Sequence, residues 1–399
     1  MTSPAKTGPR KSYAFVLPWT IDYDGGVNEV VRNLIEECRL AGDFHPVFIE
    51  SHWGSPRPVI EERPGYTYIR VRLWALDNKR FKAPFAFFAS LPLTLARLAR
   101  LARRYGIEVF NIHYPSFDAL NWVALRRSGL FAGKVILSFH GSDIRTAHGL
   151  AGWMRAAYRY LLRHADLVVC CSKDLLSEVI ALEPRAKGAV VYNGIDEGRF
   201  GRGALPANLP AGLEKKDLVL NIGRYEFRKG HDVLLRAFGR VRERHPQAHL
   251  LIVGTTGPDL EKVRASVAAS PLKEHISLFV DLPHAAIPGM LAAAQLFVLS
   301  SRWIPGKMGE GFPIAILEAA LAGKAVVTTR TCGAAEIIDD GVTGRLVPLE
   351  DAETLARAIS ESLADKTRAL AMAEALRHKV RTEFTWRRAY LAYAGLFQA

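Results

Sequence analysis

The sequence predicts an α/β protein of two domains, each built on a mostly parallel sheet. Short runs rich in β-branched residues alternate with longer helical stretches, which is typical of βαβ units. The 399 residues are too many for one ordinary core and suit two domains of common size. A stretch rich in Gly and Pro at 201–217 separates two series of this alternation. Two doubly wound domains facing one another would hold a ligand in a cleft at the carboxyl ends of their strands.

The predicted strands are short apolar runs in both halves of the chain. In the first half they are AFVLPW, PVFIE, YIRVRLW, VFNIHY, KVILSFH, DLVVCCS and AVVYNG. In the second half they are DLVLNIG, AHLLIVG, ISLFVD, LFVLSS, KAVVTT and GRLVP. Helical patterns such as VNEVVRNLIEECRLAG and LTLARLARLARRYG lie between several of them.

The charge balance favours anionic partners, because 53 basic residues stand against 40 acidic ones, a net charge of +13. Nucleic acid, acidic lipid head groups and phosphorylated small molecules all fit that sign. The sequence contains no recognised nucleic-acid module, and its basic residues are not interleaved with aromatic residues on which nucleobases could stack. A nucleic-acid-binding protein is therefore the distant alternative, and we expect no nucleic acid as partner.

The basic residues are concentrated in residues 70–104, where a single acid, Asp77, is present. At 100° per residue, Arg97, Arg100 and Arg104 share one side of a helix. Two interpretations are open: a basic amphipathic surface on an anionic membrane, or an ordinary surface helix with arginines in water. The bases of the segment are Arg70, Arg72, Lys79, Arg80, Lys82, Arg97, Arg100, Arg103 and Arg104, and Phe85, Phe87 and Phe88 lie among them.

Nothing in the sequence predicts a membrane span or a disulfide framework. The longest apolar run, 83–96, contains two prolines and is shorter than the roughly 20 residues that a spanning helix needs. The cysteines form no C-x-x-C pair; they are Cys38, Cys170, Cys171 and Cys332. We expect a cytoplasmic protein with reduced thiols.

Two glycines follow the first predicted strand and its polar loop. Gly25 and Gly26 stand directly before a helix, where glycine lets the backbone approach a ligand and the helix N-terminus favours a phosphate. The pair is neither G-x-G-x-x-G nor a Walker motif. A tight strand-to-helix turn is the alternative explanation.

Two cations follow the first strand of the second half. Gly223, Arg224 and Lys229 lie in GRYEFRKG, at the carboxyl end of VLNIG and beside a helix start. Guanidinium and ammonium groups so placed suit a diphosphate. Salt bridging to Glu226 or Asp232 is the structural alternative.

Two glutamates, eight residues apart, frame the segment EGFPIAILE. Pro313 predicts a helix start between them, so that Glu310 lies in the loop and Glu318 in the second helical turn. The apolar run AILEAALAG would bury Glu318, and a buried carboxylate needs partners. The two carboxylates could accept hydrogen bonds from different hydroxyls of one ligand.

These stretches resemble glycosyltransferase family 4. In the second half the resemblance is carried by NIGRYEFRKGHDVLLRAF, EGFPIAILEAALAGKAVVTTRTCGAAEIIDDGVTGRLVP and TEFTW, and in the first half by DGGVNEVVRNL, NIHYPSFDAL, SFHGSDI and VVYNGID. It implies the GT-B fold, with two Rossmann-like domains, 1–205 and 206–378, facing across a cleft and a last helix, 379–399, returning to the first. It also implies a retaining enzyme that needs neither metal nor cofactor, with a nucleoside-diphosphate sugar as co-substrate.

Carried over by position, the resemblance gives roles to the phosphate-side candidates. Arg224 and Lys229 would bind the donor diphosphate beside Gly223, and Gly25 and Gly26 would let the first domain close on the phosphates. The cations would also be catalytic, because negative charge grows on the leaving group in the transition state.

The other candidates would contact sugars. Glu318 would hold the ribose hydroxyls, and Glu310 with the backbone after it would hold the donor sugar. The full set is Glu310, Gly311, Phe312, Pro313 and Glu318 on the donor side, His140 near the reacting sugar, and His113 and Asp143 on the acceptor side. The catalytic candidates are Arg224, Lys229, His140 and Glu310.

Some features depart from the family pattern. Pro313 has no N–H to donate to a ligand. The connection SRWIPGKMGE, which contains Arg302 and Lys307, is longer than in many relatives, and its cations could contact the donor or nothing. Asp281 follows the strand ISLFV where relatives often have a glycine, which leaves the base of the nucleotide open.

An acidic pair, Asp22 and Asp24, forms a D-x-D before Gly25. Such pairs bind divalent metals in another glycosyltransferase fold, but the resemblance argues against a metal here. We interpret the pair as a solvated loop or an acceptor contact.

The sequence thus predicts a retaining, metal-independent hexosyltransferase that uses a UDP- or GDP-sugar. The expected acceptor is a hydroxyl of a lipid-linked saccharide or glycan of the cell envelope or an exopolysaccharide, reached at the inner face of the plasma membrane. A soluble acceptor is the alternative. Another GT-B enzyme, such as an epimerase or a synthase acting on a sugar phosphate, is a further one.

Overall fold

The computed structural model describes residues 11–23, 25–51, 59–76, 83–200, 212–304 and 309–398, which belong to two compact units. The first unit is Met1–Gly194 with Trp386–Ala399, and the second is Ile195–Thr385. These bounds differ from the predicted divisions at 205/206 and 378/379. The reason is local: Ile195 pairs with Thr385, and its N–H donates to the carbonyl of Phe384 at 2.9 Å, so both segments join the second unit.

The first unit alternates strands and helices. Its strands are β1 (Ser12–Leu17), β2 (His45–Ser51), β3 (Val59–Arg63), β4 (Tyr66–Val71), β5 (Ile107–His113), β6 (Lys134–Phe139), β7 (Leu167–Cys170) and β8 (Gly188–Val190). Its helices are α1 (Gly26–Ala41), α2 (Ala83–Tyr105), α3 (Leu120–Arg127), α4 (Ser142–His148), α5 (Gly152–His164), α6 (Lys173–Leu182) and, from the end of the chain, α14 (Trp386–Gln398).

The first sheet has the strand order β3-β4-β2-β1-β5-β6-β7-β8, and every pair except β3–β4 is parallel. The order changes direction between β1 and β5. In sheets of this kind, the carboxyl ends of the strands at such a switch point open a crevice where ligands bind.

Among the described residues of this unit, β3 is the one strand that the sequence did not predict. It reads VIEER, exposes both glutamates, and pairs antiparallel with β4 across Pro64 and Gly65, where Gly65 adopts a φ of 88°. A charged edge strand needs no alternation of buried residues, so the apolar pattern that marks a strand is missing.

Helix α14 packs against α1 and the face of β1 that carries Tyr13 and Phe15. Trp386, Tyr390 and Tyr393 of this helix are buried in the same cluster. The Tyr390 hydroxyl donates to Asp43 at 2.7 Å. The last helix therefore starts at Trp386, seven residues after the predicted 379.

Helix α2 is longer than the apolar run that the sequence predicted, because Pro92 lies inside it without ending it. By length and composition, the helical segment Pro84–Tyr105 could cross a membrane. Core helices of soluble proteins meet the same two criteria. Phe87, Leu98 and Ala102 are buried on one side, which packs against β5 and α3.

The second unit repeats the alternation with a fully parallel sheet. Its strands are β9 (Asp217–Ile222), β10 (Ala248–Gly254), β11 (Ile276–Val280), β12 (Leu296–Leu299), β13 (Ala325–Thr329) and β14 (Arg345–Val347). Its helices are α7 (His231–Arg244), α8 (Leu260–Ala268), α9 (Ile287–Ala293), α10 (Ile314–Leu321), α11 (Cys332–Ile337), α12 (Ala352–Ala364) and α13 (Lys366–Glu383).

The strand order of the second sheet is β11-β10-β9-β12-β13-β14, so its switch point lies between β9 and β12. The apolar sides of α7 and α12 pack against the strands of this sheet in one core cluster. The side chains of Leu234, Phe238 and Ile359 are completely buried there. Every strand that the sequence predicted in this half is present. The topology therefore directs attention to the loops after β9 and β12.

Candidate active site

The loops after β9 and β12 meet at the carboxyl edge of the second sheet. Lys229, in the first loop, places its ammonium 2.6 and 2.8 Å from the two carboxylate oxygens of Glu310, in the second. The hydroxyl of Ser301 donates to the same carboxylate at 2.8 Å. The structure thus brings together two residues that the sequence assigned to one site.

Glu310 is ionised although it lies largely out of water. Burial alone would raise the pKa of Glu310, but the charges of Lys229 and Arg228, with hydrogen bonds from Lys229 and Ser301, outweigh it and hold this pKa at about 2. The site therefore contains a full negative charge beside its cations.

The backbone of the first loop lies directly against the end of β12. Gly230 has a φ of 63°, and a Cβ at this position would overlap the carbonyl oxygen of Ser300. The Ser300 hydroxyl donates to the carbonyls of Lys229 and Gly230, at 2.9 and 3.0 Å. Only glycine fits both the close approach and the left-handed backbone, and this contact fixes where the Lys229 side chain begins.

Arg302 is buried, and its hydrogen bonds and ion pairs connect three segments of the second unit. Its guanidinium donates to the carbonyl of Phe227 at 2.8 Å, to Asp232 at 2.7 Å and to Glu350, and it covers the Phe227 ring. The sequence left Arg302 to contact the donor or nothing, and the structure shows it holding the turn before Lys229. Lys307 lies outside the described residues.

Two arginines lie in the same loop as Lys229, between β9 and α7. Arg224 is exposed and donates to the carbonyl of Thr256 at 3.2 Å. Arg228 bonds Glu226 at 2.6 Å and reaches the carbonyl of Gly309. Salt bridging to Glu226 or Asp232, the structural alternative for Arg224 and Lys229, is found at Arg228 and Arg302 instead. The sequence analysis did not single out Arg228, although it lies in the same GRYEFRKG segment.

The turn before α10 packs closely against α11 and against the ring of Phe384. Gly311, Phe312 and Pro313 are buried, and Phe312 contacts the ring of Phe384 at 5.7 Å. A Cβ on Gly333 of α11 would lie 2.8 Å from both the Gly311 carbonyl and Pro313. This close approach of α11 determines the path of the chain that carries Glu310.

Glu318 lies in the second turn of α10, as predicted, and is 8% exposed. Its carboxylate lies 3.7 Å from Nε2 of His284, a residue that the sequence analysis missed. A nearly buried carboxylate with so distant a partner can accept hydrogen bonds from a ligand.

Asp281, at the position where relatives often have glycine, adopts a φ of 54°. Its carboxylate accepts from the N–H and the hydroxyl of Thr256, at 2.8 and 2.6 Å, and these bonds lower the pKa of Asp281. Aspartate tolerates this backbone better than most residues. Asp281 therefore links the ends of β10 and β11.

In the first unit, Gly25 and Gly26 form the exposed start of α1. A Cβ at either would meet nothing within 4 Å, so space is open beside this helix start. Asp22 pairs with Arg63 at 3.1 Å. Asp24 lies outside the described residues, so the D-x-D prediction stays open.

His140 lies at the carboxyl edge of the first sheet, one residue after β6. The Asp143 carboxylate accepts from the backbone N–H groups of His140, Gly141 and Ile144, at 2.9, 2.7 and 3.0 Å. Burial raises the pKa of Asp143 to about 6 against these bonds. In this arrangement Asp143 is 5% exposed and holds the turn of His140, and its contact with an acceptor stays a prediction.

His113, the other residue expected on the acceptor side, lies in the interior of the first unit. Its side chain is completely buried, and its Nδ1 lies 3.1 Å from Nε2 of His140. Burial lowers the pKa of His113 well below 6.5, with a further contribution from His140, and lowers that of His140 to about 4. Both rings are neutral at physiological pH.

The outer side of α2 combines apolar and basic residues in one stripe. Phe85, Phe88 and Leu93 are 79, 62 and 56% exposed, and the arginines continue the same side toward the C-terminus of the helix. We call this surface the α2 stripe: Phe85, Phe88, Leu93, Arg97, Arg100, Arg103 and Arg104. Arg70 instead bonds Glu50, Arg72 covers the Trp74 ring, and Lys79, Arg80 and Lys82 lie outside the described residues.

The second unit therefore offers an arrangement suited to an anionic ligand with hydroxyl groups. Three cationic side chains, Arg224, Arg228 and Lys229, lie in one loop at the switch point. The Glu310 carboxylate comes from the loop after β12, and the Glu318 carboxylate from helix α10. Guanidinium and ammonium groups bind phosphate oxygens, and carboxylates accept from sugar hydroxyls.

Comparison with known proteins agrees with this chemistry. Residues 24–199 match the family model described as Glycosyltransferase Family 4, and residues 210–379 match the one described as Glycosyl transferases group 1. Sucrose-phosphate synthase of Thermosynechococcus elongatus shares the fold, with a TM-score of 0.73, 21% identity and 98% of each chain covered. The same holds for HepE of Anabaena, solved with UDP and glucose, with a TM-score of 0.69, 17% identity, and 97% of this chain and 99% of that chain covered.

The protein is therefore a glycosyltransferase of the GT-B class. Its sequence is 31% identical, over 74% of this chain and 78% of the relative, to a GDP-mannose-dependent alpha-(1-6)-phosphatidylinositol monomannoside mannosyltransferase of Mycolicibacterium smegmatis. It is 28% identical, over 83% and 79%, to the putative colanic acid biosynthesis glycosyltransferase WcaL of Escherichia coli. The chain belongs to glycosyltransferase family 4, and it is a hexosyltransferase.

The close approach of Gly230 to Ser300 predicts the effect of adding one methyl group. Gly230→Ala should lower stability by about 1–2 kcal/mol from the left-handed backbone alone, and by more through the overlap. Gly239→Ala, in the middle of α7 with open space around it, is the control and should be neutral or stabilising by up to about 1 kcal/mol. Thermal unfolding compares the two, and equal melting temperatures would contradict the close approach.

The Lys229–Glu310 pair predicts an acid-dependent loss of stability. A carboxyl group with a pKa of 4.5 in the unfolded chain and about 2 in the folded one stabilises the fold fully above pH 4.5, and loses this contribution as the pH falls toward 2. Glu310→Gln should therefore flatten the decline in stability below about pH 4.5. Urea unfolding at several pH values measures this, with the exposed Glu374→Gln as control. An unchanged slope in Glu310→Gln would refute it.

Proposed function

We propose that this protein transfers a hexose from a nucleoside-diphosphate sugar to an acceptor hydroxyl with retention of the anomeric configuration and without a metal. The observation that carries the proposal is the meeting of Lys229 and Glu310 at the switch point of the second sheet. The charge of Arg228 acts on the Glu310 carboxylate, and Arg224 comes from the same loop as Lys229. The cations can bind the diphosphate of a donor, and the carboxylate can accept hydrogen bonds from hydroxyls of the same donor.

The reaction breaks the bond between the anomeric carbon and the phosphate oxygen. The acceptor oxygen forms the new bond on the same face, and its proton passes to an oxygen of the departing diphosphate. The negative charge on that diphosphate grows as the bond breaks, so Lys229 and Arg224 stabilise the transition state more than the ground state. Three cations of the chain supply the charge that a metal ion supplies elsewhere.

Lys229 must change partners when the donor binds. In the structure its ammonium is shared by both oxygens of Glu310. We propose that the diphosphate takes part of this interaction, and that the Glu310 carboxylate then accepts from hydroxyls of the sugar. Glu318, at 8% exposure, accepts from the ribose hydroxyls.

For the donor we propose a GDP-sugar. Several relatives, including the mannosyltransferase that is 31% identical, are described as GDP-mannose-dependent or as phosphatidylinositol mannosyltransferases. For the acceptor we propose a hydroxyl of a lipid-linked saccharide at the inner face of the plasma membrane. The exposed aromatic and basic residues of the α2 stripe support this, because such surfaces bind anionic lipid head groups.

Removing one charge at a time tests the site. Lys229→Ala and Glu318→Ala should each lower turnover about 100-fold or more while the protein stays folded. Lys273→Ala and Glu274→Ala, exposed residues of the same unit, are the matched controls. Turnover is measured with GDP-mannose and UDP-glucose, with and without a chelator. Wild-type turnover in Lys229→Ala would refute the site, and loss of turnover with chelator would refute metal independence.

Donor preference is measured by thermal shifts with GDP, UDP and ADP. A nucleotide that binds only the folded state raises the melting temperature. We expect GDP to give the largest shift, and Lys229→Ala to reduce it. A protein that no nucleotide stabilises at millimolar concentration would refute the donor assignment.

Vesicle flotation tests the α2 stripe. Changing Arg97, Arg100 and Arg104 together to Glu should abolish binding to vesicles that contain acidic lipid, because each basic residue near such a surface contributes about 1 kcal/mol. The control changes exposed Lys262, Lys273 and Arg357 of the second unit to Glu, an equal change in charge. Binding that survives the first triple change would show that the stripe is an ordinary surface and would favour a soluble acceptor.

A further inference from the structure

Two histidines from neighbouring strands of the first unit form a pair. His113 ends β5, His140 follows β6, and Nδ1 of His113 lies 3.1 Å from Nε2 of His140. Their ring centroids are 5.3 Å apart, and the rings are inclined by 21°. His113 is completely buried, whereas His140 is half-buried. Since both rings are neutral, one nitrogen must donate and the other must accept.

The surroundings of His113 determine which nitrogen carries its proton. The rings of Phe15 and Tyr393 lie 6.2 Å from its ring, and its Nε2 is buried with no hydrogen-bond partner among the described residues. A proton on Nε2 would leave an unsatisfied N–H in this environment, which is rarer and more costly than an unsatisfied lone pair. The proton of His113 therefore lies on Nδ1, which faces Nε2 of His140.

The same choice fixes the proton of His140. If Nε2 of His140 accepts from His113, the remaining proton of the neutral His140 ring lies on Nδ1. This nitrogen makes no hydrogen bond within the described residues. It is therefore available as a donor to an oxygen atom of a ligand.

We propose that His113 is a positioning residue that holds the His140 ring and fixes it as the Nδ1–H tautomer, so that His140 offers a hydrogen-bond donor to a sugar oxygen of the substrate. The contact between His140 and the sugar rests on the proposed function, whereas the tautomer and the pair do not. A hydrogen bond from a buried neighbour commonly sets which imidazole nitrogen faces a substrate or metal. The Asp143 carboxylate, which holds the backbone of the same turn, completes the support.

The tautomer is read directly from long-range ¹⁵N–¹H correlation spectra of the full-length protein with ¹⁵N-labelled histidine. The His140 signals are assigned by their loss in His140→Gln. We expect a protonated Nδ1 and an unprotonated Nε2 for His140 at neutral pH. A His140 that carries its proton on Nε2, or a doubly protonated one, would overturn the proposal.

Two variants at position 113 separate positioning from packing. His113→Asn places an amide donor near the position of Nδ1 and should keep the His140 tautomer. His113→Leu places no donor there and should shift His140 toward the Nε2–H form. An identical His140 tautomer in all three proteins would overturn the proposal. Should His113→Leu not fold, the wild-type protein and His113→Asn still decide the matter by the spectra alone.

Kinetics give the functional consequence. With the nucleotide sugar that the wild-type enzyme turns over, His113→Leu should lower kcat about 10- to 100-fold with little change in KM, and His113→Asn should restore most of it. Equal losses of kcat in both variants, in step with their melting temperatures, would show a packing role and overturn the proposal. Failure of the wild-type enzyme to turn over any nucleotide sugar would count against the proposed function, while the spectra still test the pair.

Discussion

The contact between the loop after β9 and the end of β12 is the constraint on which the candidate site depends. Gly230 lies so close to Ser300 that no side chain fits between them, and the Ser300 hydroxyl holds the loop by its carbonyls. The next residue, Ser301, bonds Glu310. One short segment at the end of a buried strand therefore positions both members of the Lys229–Glu310 pair. A rigid strand end gives this precision more readily than a free loop does.

The pKa values of buried groups shift in opposite senses at the carboxyl edges of the two sheets, toward the charged form in the second unit and toward the neutral form in the first. In the second unit, cations and Glu310 are ionised together, and their mutual attraction exceeds the cost of burial. In the first unit, burial prevails: it lowers the pKa of His140 to about 4 and raises that of Asp143 to about 6. At neutral pH the second edge therefore holds an ion pair, whereas the first holds two uncharged histidines beside the Asp143 carboxylate.

The sequence predicted the fold well because apolar β-branched runs mark buried parallel strands, and it placed Glu318 in the second turn of a helix from the apolar run around it. It did not reveal β3, whose charged edge needs no apolar side, or the full length of α2 across Pro92. It gave no sign that His113 is buried, since a polar residue at a strand end suits the surface equally well. Partners such as Ser301 and His284 depend on loop geometry, which spacing in the sequence does not encode.

The charged edge strand has a consequence for how this protein behaves at high concentration. A sheet edge presents unpaired backbone groups that a second copy can join, and long apolar edges are common starting points for aggregation. At β3 the exposed Glu61 and Glu62 would face like charges of another copy approaching the same edge, and desolvating them would cost energy. The charges of β3 therefore disfavour the pairing of the first sheet with a second copy along this edge.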